Sequence, residues 1–143
     1  MPIKLIVAGI ILIVIAIIDT ASLKIPDSLL GILLIFSIGY DFAFDHTRII
    51  YGAVSFLAFF LIFGGIYYFY GGLGFGDVKL VACISNTIGF MGTVFVCLIA
   101  SLLGIIFLVF LLNIETVKQS KIPFAPFLTL AYCVLIVVRS IIL

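Results

Sequence analysis

Two acidic residues of this chain stand where an acid is costly. Asp19 closes the apolar run "LIVAGIILIVIAIID", and Asp77 sits inside "GGLGFGDVKL" beside four glycines. A lone charge inside a membrane span costs about 2.5–3.5 kcal/mol or more, so each carboxylate calls for a role. Two carboxylates brought together can hydrolyse an amide without a covalent intermediate. One takes a proton from water while the other gives a proton to the carbonyl oxygen or the leaving amine. Like charges held close do not both ionise easily, so a close pair shares one proton and supplies acid and base at once. Such groups titrate as a unit, and sequence assigns the proton to neither.

The glycines bear on access. Gly71, Gly72, Gly74 and Gly76 open backbone angles closed to other residues and remove side chains that would block another backbone, so a peptide can reach Asp77. The same stretch also reads as a tight interhelical loop, with Asp77 as N-cap of the following helix. A phosphate cradle fits poorly, because no strand precedes the glycines and Asp77 repels an anion. Lys79, two residues on, either favours the ionised form of Asp77, pairs with a substrate, or snorkels to an interface. Asp27, directly after Pro26, reads as the cap of the second helix. His46 reads as a solvated loop histidine, since a single histidine without ligand partners makes no metal site. Asn86, Glu115 and Gln119 carry no assigned role.

The elements that must hold these residues follow from composition. Of 143 residues, 66% are hydrophobic and 9% charged, with a mean hydropathy of +1.58. A soluble domain carries roughly a quarter charged residues. The chain therefore reads as an all-α polytopic membrane protein, and a net charge of +1 leaves no basic footprint for nucleic acid. The uncharged run from Leu80 to Ile114 would reach about 52 Å as one helix, against a bilayer core of about 30 Å, so it must fold back near Gly89 to Gly92. Six transmembrane helices are expected, roughly 3–18, 28–44, 49–70, 77–89, 92–112 and 125–142. They take up nearly all of residues 1–143 as one domain with no separate soluble domain. The first segment, despite Lys4 and its apolar stretch, lacks a convincing small-x-small cleavage site and is expected to stay as a helix. Cys83, Cys97 and Cys133 lie in apolar runs without a C-x-x-C pair and read as packing thiols.

Counting crossings places the acids. Two complete spans separate Asp19 from Asp77, so both belong on one face of the membrane whichever way the chain inserts. Asp41 and Asp45, one crossing from each, belong on the other.

With the acids placed, "IIDTASLKIPDSLL", "GFGDVKL" and "KIPFAPFL", in that order at matching helix ends, make the chain resemble the type IV prepilin peptidase family. These are the G-x-G-D membrane aspartic peptidases, including the archaeal preflagellin peptidases. The resemblance runs from about Leu5 to the C-terminus. It implies that Asp19 and Asp77 are catalytic and face the cytoplasm from a cell membrane; Gly74, Gly76 and Lys79, beside Asp77, are the candidate substrate-binding residues on the reading of the residues above. It also implies prepilin-like or preflagellin-like substrates, with a short basic leader ending in glycine before an apolar helix. No cofactor is expected. In "PFAPF", Pro126 near the first turn loses no needed N–H, while Ala125 stands where the family commonly has glycine. Many bacterial members add an insertion with two zinc-binding C-x-x-C pairs and methylate the new N-terminus. Those cysteines are absent here, so peptidase activity without zinc or methyl transfer is expected.

Charge counting agrees with that orientation: Lys24, Lys79, Lys118 and Lys121 fall on the Asp19 face, against Lys4, Arg48 and Arg139. Tyr67, Tyr68 and Tyr70 at one end, with Tyr40, Phe42 and Phe44 at the other, suit interfacial belts. Two other readings stay open. A presenilin-like or signal-peptide-peptidase-like protease would pair Asp41 of "GYD" with Asp77, although a helix of about 33 Å separates them and the Pro-Ala-Leu signature is missing. A small transporter or scaffold would use its intramembrane acids for protons or partners.

Overall fold

A computed structural model describes residues 2–70, 74–112 and 123–142. Gly71, Gly72, Glu115, Lys118, Gln119 and Lys121 lie outside the described residues. The described chain is all helical: α1 (Pro2–Ser22), α2 (Asp27–Phe44), α3 (His46–Tyr70), α4 (Phe75–Ile88), α5 (Phe90–Leu112) and α6 (Ala125–Ile142). The fold-back expected in the long apolar run falls at Gly89, whose φ of +81° suits a residue without a β-carbon. Four helices are long and apolar enough to cross a bilayer, over Ile3–Ser22, Asp27–Phe44, His46–Tyr70 and Phe90–Phe110, and Ala125–Ile141 forms a shorter apolar helix. The protein is a multi-pass membrane protein of the all-α class.

The six helices do not play equal parts. Helix α4 has 14 residues, about 21 Å of rise, and packs against α3, α2, α5 and α1. Every residue from Leu80 to Thr87 is buried, so α4 is a central post walled off by its neighbours. The other helices bury a stripe and leave the rest apolar and exposed, as on α1 at Ile6, Ile10 and Ile17. A water-soluble surface rarely exposes apolar area on this scale, whereas lipid accepts it.

On α1 the buried side chains include Lys4, Ala8, Leu12, Ile15 and Asp19. Their three- and four-residue spacing draws one helical stripe toward the core, with a charge at each end. Helix α2 repeats the pattern through Leu30, Leu33, Ser37 and Asp41. Helix α3 approaches α4 at Gly52, where an added β-carbon would lie 2.7 Å from Asn86 Oδ1 and 3.2 Å from the Asn86 carbonyl oxygen. Asn86 is meanwhile engaged across the core, donating from Nδ2 to the Ser37 hydroxyl at 3.0 Å. Helix α6 is fastened to α1 by two side-chain donors: Thr129 Oγ1 to the Leu12 carbonyl at 3.2 Å and Tyr132 OH to the Leu5 carbonyl at 3.2 Å. Cys83 is buried, and Cys97 and Cys133 are half-buried.

Candidate active site

Asp19 lies in the last turn of α1 and is 5% exposed. Its carbonyl accepts the Leu23 amide at 2.8 Å, and Leu23 turns the chain out of the helix with φ +53°. That is the left-handed region, which costs a side-chain-bearing residue about 1–2 kcal/mol. From the far end of the sequence the Ala125 amide donates to Asp19 Oδ2 at 3.3 Å. The contact exists because the first amides of α6 have no partner within their own helix. Pro126, next in that turn, lacks an amide and leaves none unsatisfied.

Asp77 is the third residue of α4, after Phe75 and Gly76. The cap position belongs to Gly74, with φ −72° and ψ 138°, and not to Asp77 as the sequence suggested. Asp77 instead reaches back so that the Gly74 amide donates to its carboxylate, the half of a capping box that an acid at the third position makes. The fit is tight: a β-carbon on Gly74 would stand 2.9 Å from Asp77 Oδ2. The expected cap of α2 is displaced in the same way. Pro26 holds that position in an extended conformation without a side-chain cap, and Asp27 opens the first turn.

Both acids line one cleft of about 390 Å³ between the α1–α2 connection and the start of α4, together with Gly74, Gly76, Lys24 and Lys79. They are close enough for the charge of Asp19 to act on Asp77. Among the described residues neither carboxylate forms an ion pair. Lys79 does not turn to Asp77. Its ammonium donates to both oxygens of Asp27, at 2.8 and 3.0 Å, and lies 5.0 Å from the centre of the Phe75 ring. The bare face of Gly76 is covered by Ile25, whose Cβ would be 3.2 Å from an added β-carbon.

Asp41 is elsewhere. It meets Lys4 at 2.7 and 2.8 Å in a buried pair, beside a cavity of about 340 Å³ that also holds Asp45, Arg48 and Asn86. A pairing of Asp41 with Asp77 therefore has no common site. Sequence reasoning missed this ion pair, the Asp27–Lys79 pair and the Ala125 amide. The α1 stripe could have pointed to the first, since Lys4 falls on the same helix face as Asp19.

With two carboxylates facing one cleft and no cation among the described residues paired to either, the arrangement suits acid and base work on a bound amide. A model of the type IV leader peptidase family matches residues 6–109, a stretch that contains both acids. The chain belongs to that family. Two curated relatives from Aeromonas salmonicida, one of them from strain A449, are each named prepilin leader peptidase/N-methyltransferase. Each is 28% identical over 128 residues, covering 85% of this chain and 44% of its own length. The chain thus spans less than half the length of these leader peptidase relatives. No solved structure matches it.

Proposed function

We propose that the chain is a membrane aspartic endopeptidase that removes the short basic leader of type IV prepilin-like precursors at the cytoplasmic face. The observation that carries this reading is the convergence of Asp19 and Asp77 on one cleft, with no cation among the described residues paired to either carboxylate. In this mechanism the pair holds one proton. The ionised member takes a proton from the water that attacks the scissile carbonyl while the protonated member gives its proton to the carbonyl oxygen; as the tetrahedral diol collapses, the proton taken from water passes to the leaving amine and the diol hydroxyl returns its proton to the other carboxylate. The Ala125 and Gly74 amides hold the two carboxylates in orientation. Gly74 and Gly76 form the wall that meets the peptide, and Lys79 lines the same cleft with its ammonium held by Asp27. An apolar precursor helix partitions beside the enzyme in the bilayer and presents its leader at the interface where the cleft opens.

The test is direct. Purified protein in lipid vesicles is mixed with a prepilin-like precursor, and the product is read by mass spectrometry. The expected product begins immediately after the leader's terminal glycine and carries an unmethylated amine. A precursor left intact by well-folded protein contradicts the reading, and a product cut inside the apolar helix points to a different class of protease.

A further inference from the structure

We propose that Asp27 and Lys79 are positioning residues for the reaction. Their ion pair, with Ile25 seated on Gly76, clasps the α1–α2 connection to the first turn of α4 and sets how Asp19 meets Asp77.

The clasp joins the two segments that carry the reactive acids. Asp27 follows Asp19 across the short connection, and Lys79 follows Asp77 within one turn of α4. Lys79 lies two residues from Asp77 and Asp27 eight residues from Asp19, while the bond between the partners spans 52 positions of sequence. The connection needs such a restraint. It leaves α1 through Leu23 in a left-handed conformation, a strained state that persists only where its surroundings over-determine it. The observed restraints are the contact of Ile25 on Gly76 and the Asp27–Lys79 pair, since the Ser22 hydroxyl has its shorter acceptor, the Ile18 carbonyl at 2.8 Å, within α1 and the Lys24 carbonyl lies at 3.3 Å. Lys79 is itself held, because its ammonium lies over the Phe75 ring and such a contact adds attraction for the cation.

Exposure separates positioning from stability. The Asp27 side chain is 71% exposed and that of Lys79 33%, and pairs this open to solvent contribute little to folding. Misplacement of reacting groups by about 1 Å, in contrast, costs up to about 100-fold in rate. Loss of the pair should therefore show in turnover and not in the melting temperature.

The proposal rests on the peptidase reading, and the experiment keeps the two apart. Asp27→Asn and Lys79→Gln are each expected to lower kcat about tenfold and leave KM within about twofold, at unchanged melting temperature. The double variant should be no slower than either single one, because both remove the same bond. The charge-reversed protein, Asp27→Lys with Lys79→Asp, should recover most of the lost kcat. Hydrogen–deuterium exchange at residues 23–25 should rise in the single variants and fall again on charge reversal. Unchanged kcat, a rise in KM alone, or a reversed pair as slow as the singles overturns the clasp. Should wild-type protein cleave no precursor, the peptidase reading falls. The exchange comparison then still decides the clasp, which is overturned if the connection is no more labile without the pair.

Discussion

The two ends of α1 make the most informative contrast in the molecule. Lys4 and Asp19 share one inward stripe, each 5% exposed, and each brings a charge to the edge of an apolar core. At the Lys4 end the charge is met by Asp41 at 2.7 Å, with side chains only 6% and 3% exposed. At the Asp19 end it is met by a second acid across a cleft, and the nearby Lys79 is bound to Asp27 instead. Identical burial thus serves two ends. A charge neutralised by a partner fixes how helices pack, whereas two charges of like sign on one cleft, paired to no cation among the described residues, remain available for proton transfer.

That contrast breaks most visibly at the open end. Asp19→Asn and Asp77→Asn should each lower precursor cleavage by at least about 10³-fold, with the double variant hardly slower than either single one, because groups acting as a unit lose their function together. Rates measured with equal amounts of folded protein check this. At the Lys4 end, where the charge is paired, the expected effect is on folding. Lys4→Met leaves Asp41 buried without its partner and should cost about 3–5 kcal/mol, while Lys4→Met combined with Asp41→Leu should recover much of the loss. Unfolding in mixed micelles would read both.

Smaller effects sharpen the same division. Gly52→Ala forces α3 away from α4, since the new methyl meets Asn86 Oδ1 at 2.7 Å, and overpacking of that kind costs about 1–3 kcal/mol. Gly31→Ala, with nothing within 4 Å of the added carbon, should not destabilise the fold. Both are read in the same unfolding assay. The smallest effect belongs to Asp45, in the connection between α2 and α3. The Thr47 hydroxyl, which donates to its carboxylate, and the Arg48 guanidinium hold Asp45 below its ordinary value of 3.8. A depressed folded-state pKa stabilises above the ordinary value, and that stabilisation is lost as pH falls through the lower one. Asp45→Asn should therefore lower stability slightly at neutral pH, match wild type once the carboxyl is protonated, and so flatten the loss of stability below about pH 4.

Much of this division was legible before any coordinates. The helix ends could be read because charges and glycines cluster in the connections. Counting crossings then separated Asp19 and Asp77 from Asp41, and the structure places the first two on one cleft and the third with Lys4. Partnerships were not legible. Lys4 reads as a flanking charge until α1 and α2 are known to lie side by side, and Asp27 reads as a cap until α4 brings Lys79 to it. Both caps fell on a preceding residue, Pro26 and Gly74, because backbone conformation at a helix entrance outweighs side-chain preference there. Nor does hydropathy reveal that α4 is the buried post, since a helix enclosed by protein and one facing lipid are both apolar.

The measurement that bears most directly on the contrast is cleavage per folded molecule for Asp77→Asn and Asp41→Asn, assayed side by side in the same vesicles. If the two ends differ as described, Asp77→Asn inserts and folds normally yet yields no product above background. Asp41→Asn, in contrast, folds in lower amount but cleaves at close to the wild-type rate per folded molecule. Appreciable turnover by Asp77→Asn, or complete loss by well-folded Asp41→Asn, would contradict the account.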